Sequence, residues 1–103
     1  MNSVEGPGSR AGGGTAAERS VVVANPRGVH AMLAVRIAAI ADSFSGRVFL
    51  RLASDPDYSV DASQVTSVLS LGAGTEEVVT ISCEGPGAEK TVAALVAVLT
   101  DVD

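Results

Sequence analysis

The sequence contains a single histidine, His30, and its position suggests phosphoryl chemistry. It follows a β-branched run and the turn residues 25 to 28, and it directly precedes a segment with helical periodicity. A residue there lies near the helix N-cap, where the N–H groups of Ala31, Met32 and Leu33 have no partner within the helix. Those donors and the positive end of the helix dipole can bind an anion such as a phosphoryl group. A neutral imidazole can attack phosphorus and later leave, so a histidine at this position can act as a phosphoryl acceptor.

His30 also has a simpler interpretation, and other catalytic chemistries lack the residues they need. The alternative is that His30 only caps the helix or completes the turn, and its spacing does not decide between the two roles. The sequence has one histidine, one cysteine (Cys83) and no carboxylate cluster at ligand spacing. We therefore predict no metal site, no self-contained catalytic triad and no cofactor. Cys83 lies in an apolar strand pattern, which indicates an unreactive core thiol.

The composition indicates one small domain with an aliphatic core. A chain of 103 residues is long enough for one core and too short for two. Because 47% of the residues are hydrophobic but only 3% are aromatic, we expect a core of Val, Leu, Ile and Ala.

The net charge of -5 and the dispersed basic residues argue against a nucleic-acid partner. No apolar run approaches the ~20 residues of a membrane span, and the first residues lack the apolar segment of a secretory signal. We expect a cytoplasmic monomer without a membrane partner.

The elements that position His30 follow from the hydrophobic spacing. Residues 1 to 18 are rich in Gly, Ser and Ala without periodicity, which predicts a disordered tail before a domain at 19–103. Strands are predicted at 20–24, 47–52, 58–61 and 77–83, and helices from His30 to about 42, at 63–71 and after Gly87. The second and third strands should form a hairpin. The order βαββαβα, with one apolar stripe on each helix, predicts a two-layer α+β sandwich with one covered sheet face.

The segment NPRGVHAMLA at 25–34 resembles the active-site segment of HPr, the histidine-containing phosphocarrier of the bacterial sugar phosphotransferase system. That family typically reads N-x-x-G-L-H-[AT]-R-P-A, and Asn25, Gly28, His30 and Ala34 fall on matching positions. The resemblance covers about residues 19 to 100, through DASQV at 61–65, EVVTI at 77–81 and the last helix. It implies the family's open-faced sandwich, in which a four-stranded antiparallel sheet is covered on one face by three helices.

The resemblance implies that His30 is the phosphoryl acceptor. In the family, phosphate passes from phosphoenolpyruvate through enzyme I to this histidine, and then to a sugar-specific acceptor. Two site positions differ, because Met32 replaces the motif's Arg and Leu33 replaces its Pro. The lost Arg was a bidentate cation beside the phosphoryl group, whereas Leu33 adds one N–H donor. Arg27 or Arg36 could replace that cation, or both could be ordinary solvated surface arginines.

The short second helix also differs from part of the family. Many Gram-positive members carry a regulatory serine at the position of Gln64, so phosphorylation by the family's serine kinase is not available at that site. The neighbouring Ser63 is expected to be the N-cap of this helix.

Partners in the family dock over the start of the first helix and the short second helix. The corresponding residues are almost all apolar, and they are Met32, Val35, Ala39, Val65, Thr66 and Leu69. When a helix is apolar on nearly every side, one apolar face packs on the core, and a second apolar face needs another partner to shield it from water. We therefore predict a hydrophobic docking patch around His30. The alternative is that some of these side chains pack between the two helices.

Two functions remain open on the sequence. One is a phosphocarrier that accepts a phosphoryl group on His30 from an enzyme-I-like donor and relays it to a sugar-specific or regulatory acceptor protein. The N–H groups of Ala31, Met32 and Leu33, together with Arg27, would then bind the phosphate. The other is a binding or regulatory module with weak or lost phosphotransfer that acts by docking, which the residues at 32 and 33 favour. A stand-alone enzyme is not predicted, because no general base, nucleotide loop or metal set accompanies the histidine.

Overall fold

The computed structural model describes residues 16 to 102 and contains the predicted α+β sandwich. Its elements are β1 (Ala16–Val22), α1 (Ala31–Ser43), β2 (Arg47–Leu52), β3 (Ser59–Asp61), α2 (Val65–Ser70), β4 (Val78–Glu84) and α3 (Ala88–Leu99). The order βαββαβα and the fold class predicted from the sequence are confirmed. No helix in the described part of the chain combines the length and the apolar character needed to cross a membrane.

The four strands form one antiparallel sheet in the spatial order β1-β4-β2-β3. The predicted hairpin is present, since β2 and β3 pair with Leu50 opposite Val60. In β4, Val79, Ile81 and Cys83 point to one face and are buried there. The helices cover this face: α3 packs on β1 and β4, and α1 packs against α2 and α3.

The opposite face of the sheet carries polar and charged side chains. Ser20 of β1 and Thr80 of β4 lie opposite each other and share a hydrogen bond of 2.8 Å between their hydroxyl oxygens. The guanidinium of Arg51 donates to Glu18 and, at 3.3 Å, to the hydroxyl of Ser82. Polar cross-strand pairs of this kind stabilise a sheet whose second face is open to water.

The first strand differs from its predicted bounds at both ends. It begins at Ala16, so residues 16 to 18, which the sequence assigned to the tail, pair with β4. The remaining tail residues, 1 to 15, lie outside the described residues. The strand ends at Val22 rather than at Ala24, because the N–H of Ala24 donates to the carbonyl of Leu99 in α3 and no longer pairs with β4.

The second helix is shorter than predicted, and its N-cap is a different residue. It spans Val65–Ser70, and its N-cap is Gln64, which makes no side-chain capping bond. The expectation that Ser63 caps this helix is wrong, because its hydroxyl and its N–H both donate to Asp61 Oδ1, at 2.7 and 2.9 Å. These two hydrogen bonds, the hydroxyl bond above all, hold the pKa of Asp61 below its ordinary value of 3.8.

Candidate functional site

The structure places His30 at the N-cap of α1. Its backbone is extended (φ -86°, ψ 179°), and its carbonyl accepts the first bond of the helix from Ala34 N–H at 2.9 Å. Its ring also acts as the cap, since Nδ1 accepts a 3.2 Å bond from the N–H of Met32. The side chain is half-buried. One residue therefore starts the helix and faces its positive end.

The first turn of α1 offers further hydrogen-bond donors beside this ring. Among the described residues, the N–H groups of Ala31 and Leu33 have no protein acceptor. No acidic side chain lies in this turn to compete for them. Ala31 and Met32 are exposed, while the Leu33 side chain is buried in the core and fixes the start of the helix. The three N–H groups predicted to bind phosphate thus lie together at one helix end, with that of Met32 bonded to the His30 ring.

The two ring nitrogens of His30 have different environments. Because Nδ1 accepts a hydrogen bond, the proton of the neutral ring lies on Nε2. Nε2 is buried and has no hydrogen-bond partner within residues 16–102. Nδ1 is the nitrogen whose lone pair faces the helix N-terminus.

The turn before His30 is fixed by Asn25 and Gly28. Asn25 is buried; its Oδ1 accepts from the N–H of Arg27 at 2.9 Å, and its carbonyl accepts from the N–H of Gly28 at 2.9 Å. Gly28 has φ +69°, and a Cβ at this position would lie 2.8 Å from the carbonyl oxygen of Ala73. The motif's Asn and Gly therefore have a structural role here, since a longer side chain at 28 would push the turn off the loop at 73–74.

The end of the last helix supports the same turn, a contribution that the sequence analysis missed. Ala24 N–H donates to the carbonyl of Leu99 at 3.1 Å, and Asn25 Nδ2 donates to the carbonyl of Asp101 at 3.5 Å. The carboxylate of Asp101 also accepts a 2.9 Å bond from Arg36 of α1. These partners lie far apart along the chain, so no local pattern in the sequence could have indicated them.

The two arginines considered as replacement cations lie in different settings. Arg27 is exposed in the turn, and neither of the two ion pairs found among the described residues involves it. Arg36 forms one of those ion pairs, with Asp101. Met32 stands where the family has its Arg, and its side chain is 69% exposed. Within residues 16–102, the His, Cys, Asp and Glu side chains form no group that could hold a metal ion.

The predicted docking patch lies on α1 and α2, which pack against each other. Its members are Met32, Val35, Ala39, Val65, Thr66 and Leu69. All of them are exposed except Val65, which is half-buried, and the exposed fractions of Met32 and Leu69 are 69% and 40%. Val65 packs against the core, as the alternative interpretation expects for some of these side chains. The other five are exposed on the surface of the two helices.

Comparison with known proteins identifies the family. The family model described as the PTS HPr component phosphorylation site matches residues 17–101. The chain belongs to the HPr family. It is similar to the phosphocarrier protein HPr of Cupriavidus necator, with 27% identity over 84 residues that cover 82% of this chain and 91% of that protein.

Solved HPr structures share the fold. The HPr of Bacillus anthracis superposes with a TM-score of 0.73 and 27% identity, covering 82% of this chain and 96% of that one. The HPr-C-His structure from Thermoanaerobacter tengcongensis gives a TM-score of 0.73 and 28% identity, covering 81% and 90%. The HPr assignment suggested by the residues around His30 is thus confirmed.

Proposed function

We propose that this HPr-family protein carries a phosphoryl group on His30 in a bacterial cytoplasm. The group would come from an enzyme-I-like donor and pass to a sugar-specific or regulatory acceptor protein. The observation that supports this best is the position of the His30 ring at the N-terminus of α1, with the lone pair of Nδ1 toward the helix N–H groups. That position allows nucleophilic attack and stabilises the charge of the group that arrives.

The transfer step follows from the two ring environments. The Nδ1 lone pair of His30 forms the new bond to phosphorus, while the bond from phosphorus to the donor protein breaks and leaves its electron pair on the donor atom. The proton on Nε2 stays in place, so no general base is needed. The N–H of Met32, which bonds to Nδ1 in the unloaded state, can then donate to a phosphoryl oxygen. Release to the acceptor is the reverse of this step.

The charge of the bound group would be stabilised mostly by backbone donors. The N–H groups of Ala31 and Leu33 add to that of Met32, and Leu33 supplies a donor that the family's Pro lacks. Arg27, exposed in the turn before His30, is proposed as a further contact. The patch formed by α1 and α2 next to this site would bind the donor and acceptor proteins in turn.

The deciding experiment is intact-mass analysis of the protein after incubation with phosphoenolpyruvate and enzyme I. We expect a gain of one phosphoryl group that is lost in acid and stable in base, as a phosphohistidine should be. His30→Ala should show no gain, because the acceptor nitrogen is absent.

His30→Asn is the sharper control. Asn keeps a side-chain oxygen that can cap α1, so this variant removes the nucleophile and retains the cap, whereas His30→Ala also loses about 1 kcal/mol of stability. Labelling that survives in His30→Asn would contradict the site. No labelling of the natural sequence, under conditions that label a common HPr, would contradict the carrier function and favour a docking module.

A further inference from the structure

We propose that Arg36 is a second side-chain cation, besides Arg27, that binds the phosphoryl group on His30, and that Asp101 holds Arg36 while His30 carries no phosphoryl group. This inference rests on the proposed phosphocarrier function. Met32 stands where the family motif has its Arg, so the first turn of the helix lacks that cation. Arg36 and its partner supply that cation from elsewhere in the fold.

The helix geometry brings Arg36 toward the site. Arg36 follows Met32 by one turn on the same side of α1. Its Cα lies about 9 Å along the helix axis from that of His30, at ~1.5 Å per residue. Long helical side chains lean toward the N-terminus and cover the preceding turn. The guanidinium of Arg36 is therefore carried toward the turn in which the phosphoryl group would lie.

The contacts of Asp101 indicate where that guanidinium is held. Its carboxylate accepts from the guanidinium of Arg36 at 2.9 Å, and its carbonyl accepts from Asn25 Nδ2 at 3.5 Å. Asn25 belongs to the same turn as Gly28, whose carbonyl accepts the N–H of His30 at 3.0 Å. A short series of hydrogen bonds thus connects the held guanidinium to the backbone of the acceptor residue.

The pair is placed so that it can be exchanged. The side chains of Arg36 and Asp101 are 48% and 29% exposed, and an ion pair in contact with solvent is weak. A phosphoryl group carries more negative charge than one carboxylate and accepts a bidentate guanidinium well. Loading His30 would therefore draw Arg36 from Asp101 to the phosphoryl oxygens. Arg51 is not available for this role, because it pairs with Glu18 on the open face of the sheet, opposite the face that α1 covers.

The test uses phosphoramidate as a small-molecule donor, so it needs no partner protein. The phosphorus–nitrogen bond of phosphoramidate breaks and ammonia leaves as the ring of His30 binds phosphorus. Loaded protein is then equilibrated with free imidazole, and phosphorus NMR measures the ratio of phosphohistidine to phosphoimidazole. The full chain is compared with Arg36→Gln, Asp101→Asn and their double variant. Arg51→Gln is the matched control, because it removes one positive charge and one ion pair far from His30.

We expect Arg36→Gln to lower the equilibrium constant for loading about fivefold, because the charge-assisted contact to the phosphoryl group is partly offset by the ion pair with Asp101 that Arg36 gives up. Arg51→Gln should leave the constant unchanged. Asp101→Asn should raise it, because Arg36 is released, and this gain should disappear when Arg36→Gln is also present. Repulsion between the Asp101 charge and the phosphoryl group would act with or without Arg36, so loss of the gain in the double variant shows that Asp101 acts through Arg36.

The results that would contradict the role of Arg36 differ from those that would contradict the phosphocarrier function. If Arg36→Gln matches Arg51→Gln, or if Asp101→Asn has the same effect with and without Arg36, the role of Arg36 is wrong while the carrier function stands. If neither phosphoramidate nor phosphoenolpyruvate with enzyme I places a phosphoryl group on His30 of the natural sequence, both proposals are wrong.

Discussion

At the scale of the residue, the capping of α1 and the proposed phosphoryl transfer use the same lone pair of His30. In the unloaded state Nδ1 accepts the N–H of Met32 and caps α1. In the loaded state the same lone pair would be bonded to phosphorus, and a phosphoryl oxygen would take over the capping bond. The helix end therefore stays satisfied in both states, which keeps the difference in fold stability between them small.

Gly28 is the residue whose substitution should disturb the site most through the backbone. Gly28→Ala should lower the free energy of unfolding by more than about 2 kcal/mol, because it adds the cost of a left-handed residue to a contact with the backbone at 73–74. Gly72→Ala is the matched control. Gly72 has a similar φ of +68° but open space around its Cβ position, so it should lose only about 1 kcal/mol. Urea unfolding of both variants measures the difference, and equal losses would contradict the close approach at Gly28.

The sequence indicated the residues of the site but not their supports. The position of His30 before a helical pattern correctly predicted an N-cap, since capping depends on a few neighbouring residues. Asp101 was missed because its bonds to Asn25 and Arg36 join residues 76 and 65 positions apart. Contacts of that range depend on the packing of α3 against the sheet, which periodicity does not describe.

At the scale of the element, α1 has two apolar faces with different surroundings. Leu33, Ala34 and Ile37 are buried in the core, whereas Met32 and Val35 remain exposed. An apolar face that no part of the described chain covers is typical of a binding surface. Periodicity predicted the buried face correctly, and the resemblance to HPr predicted the exposed one.

Charge placed on the patch should weaken partner binding without loss of the fold. Met32→Asp and Ala39→Asp should each raise the Kd for enzyme I about tenfold, because a carboxylate must be desolvated where an apolar contact was made. Ala93→Asp on α3 is the matched control, since Ala93 is likewise exposed within a helix but lies outside the patch. Isothermal titration with enzyme I measures the three constants. Equal affinities for Ala39→Asp and Ala93→Asp would place the interface elsewhere.

The element boundaries were the least predictable part of the fold. Strand β1 extends back to Ala16 because β4 has residues up to Glu84 that pair with it, a partner that the composition of residues 16 to 18 does not indicate. Helix α2 begins later than predicted because Ser63 bonds to Asp61 and completes a turn of its own. In both places a tertiary or side-chain partner outweighed local preference.

At the scale of the whole molecule, the buried thiol of Cys83 makes the stability of the fold depend on pH. Its side chain is 1% exposed on the covered face of β4, and burial raises the pKa of its thiol from 9.0 to about 11. The unfolded chain therefore loses this proton at lower pH than the folded one. The resulting contribution to stability is fully present below pH 9 and is lost as the pH rises from 9 toward 11.

This pH dependence can be isolated with Cys83→Ala. We expect the natural protein to lose more stability than Cys83→Ala between pH 7 and pH 10.5, because the variant has no thiol to titrate while all other groups are shared. Urea unfolding under reducing conditions at both pH values measures the difference. A difference between the two proteins that stays constant with pH would show that the thiol ionises as readily in the folded state as in the unfolded one.

The bonds that Leu99 and Asp101 accept from Ala24 and Asn25 also set when the site is completed during synthesis. His30 leaves the ribosome long before these residues are made, since translation runs from the N-terminus to the C-terminus. A nascent chain that stops before residue 99 lacks both acceptors, and its site turn is not yet anchored. We therefore expect the turn before His30 to take its final form only after residues 99 and 101 have left the ribosome.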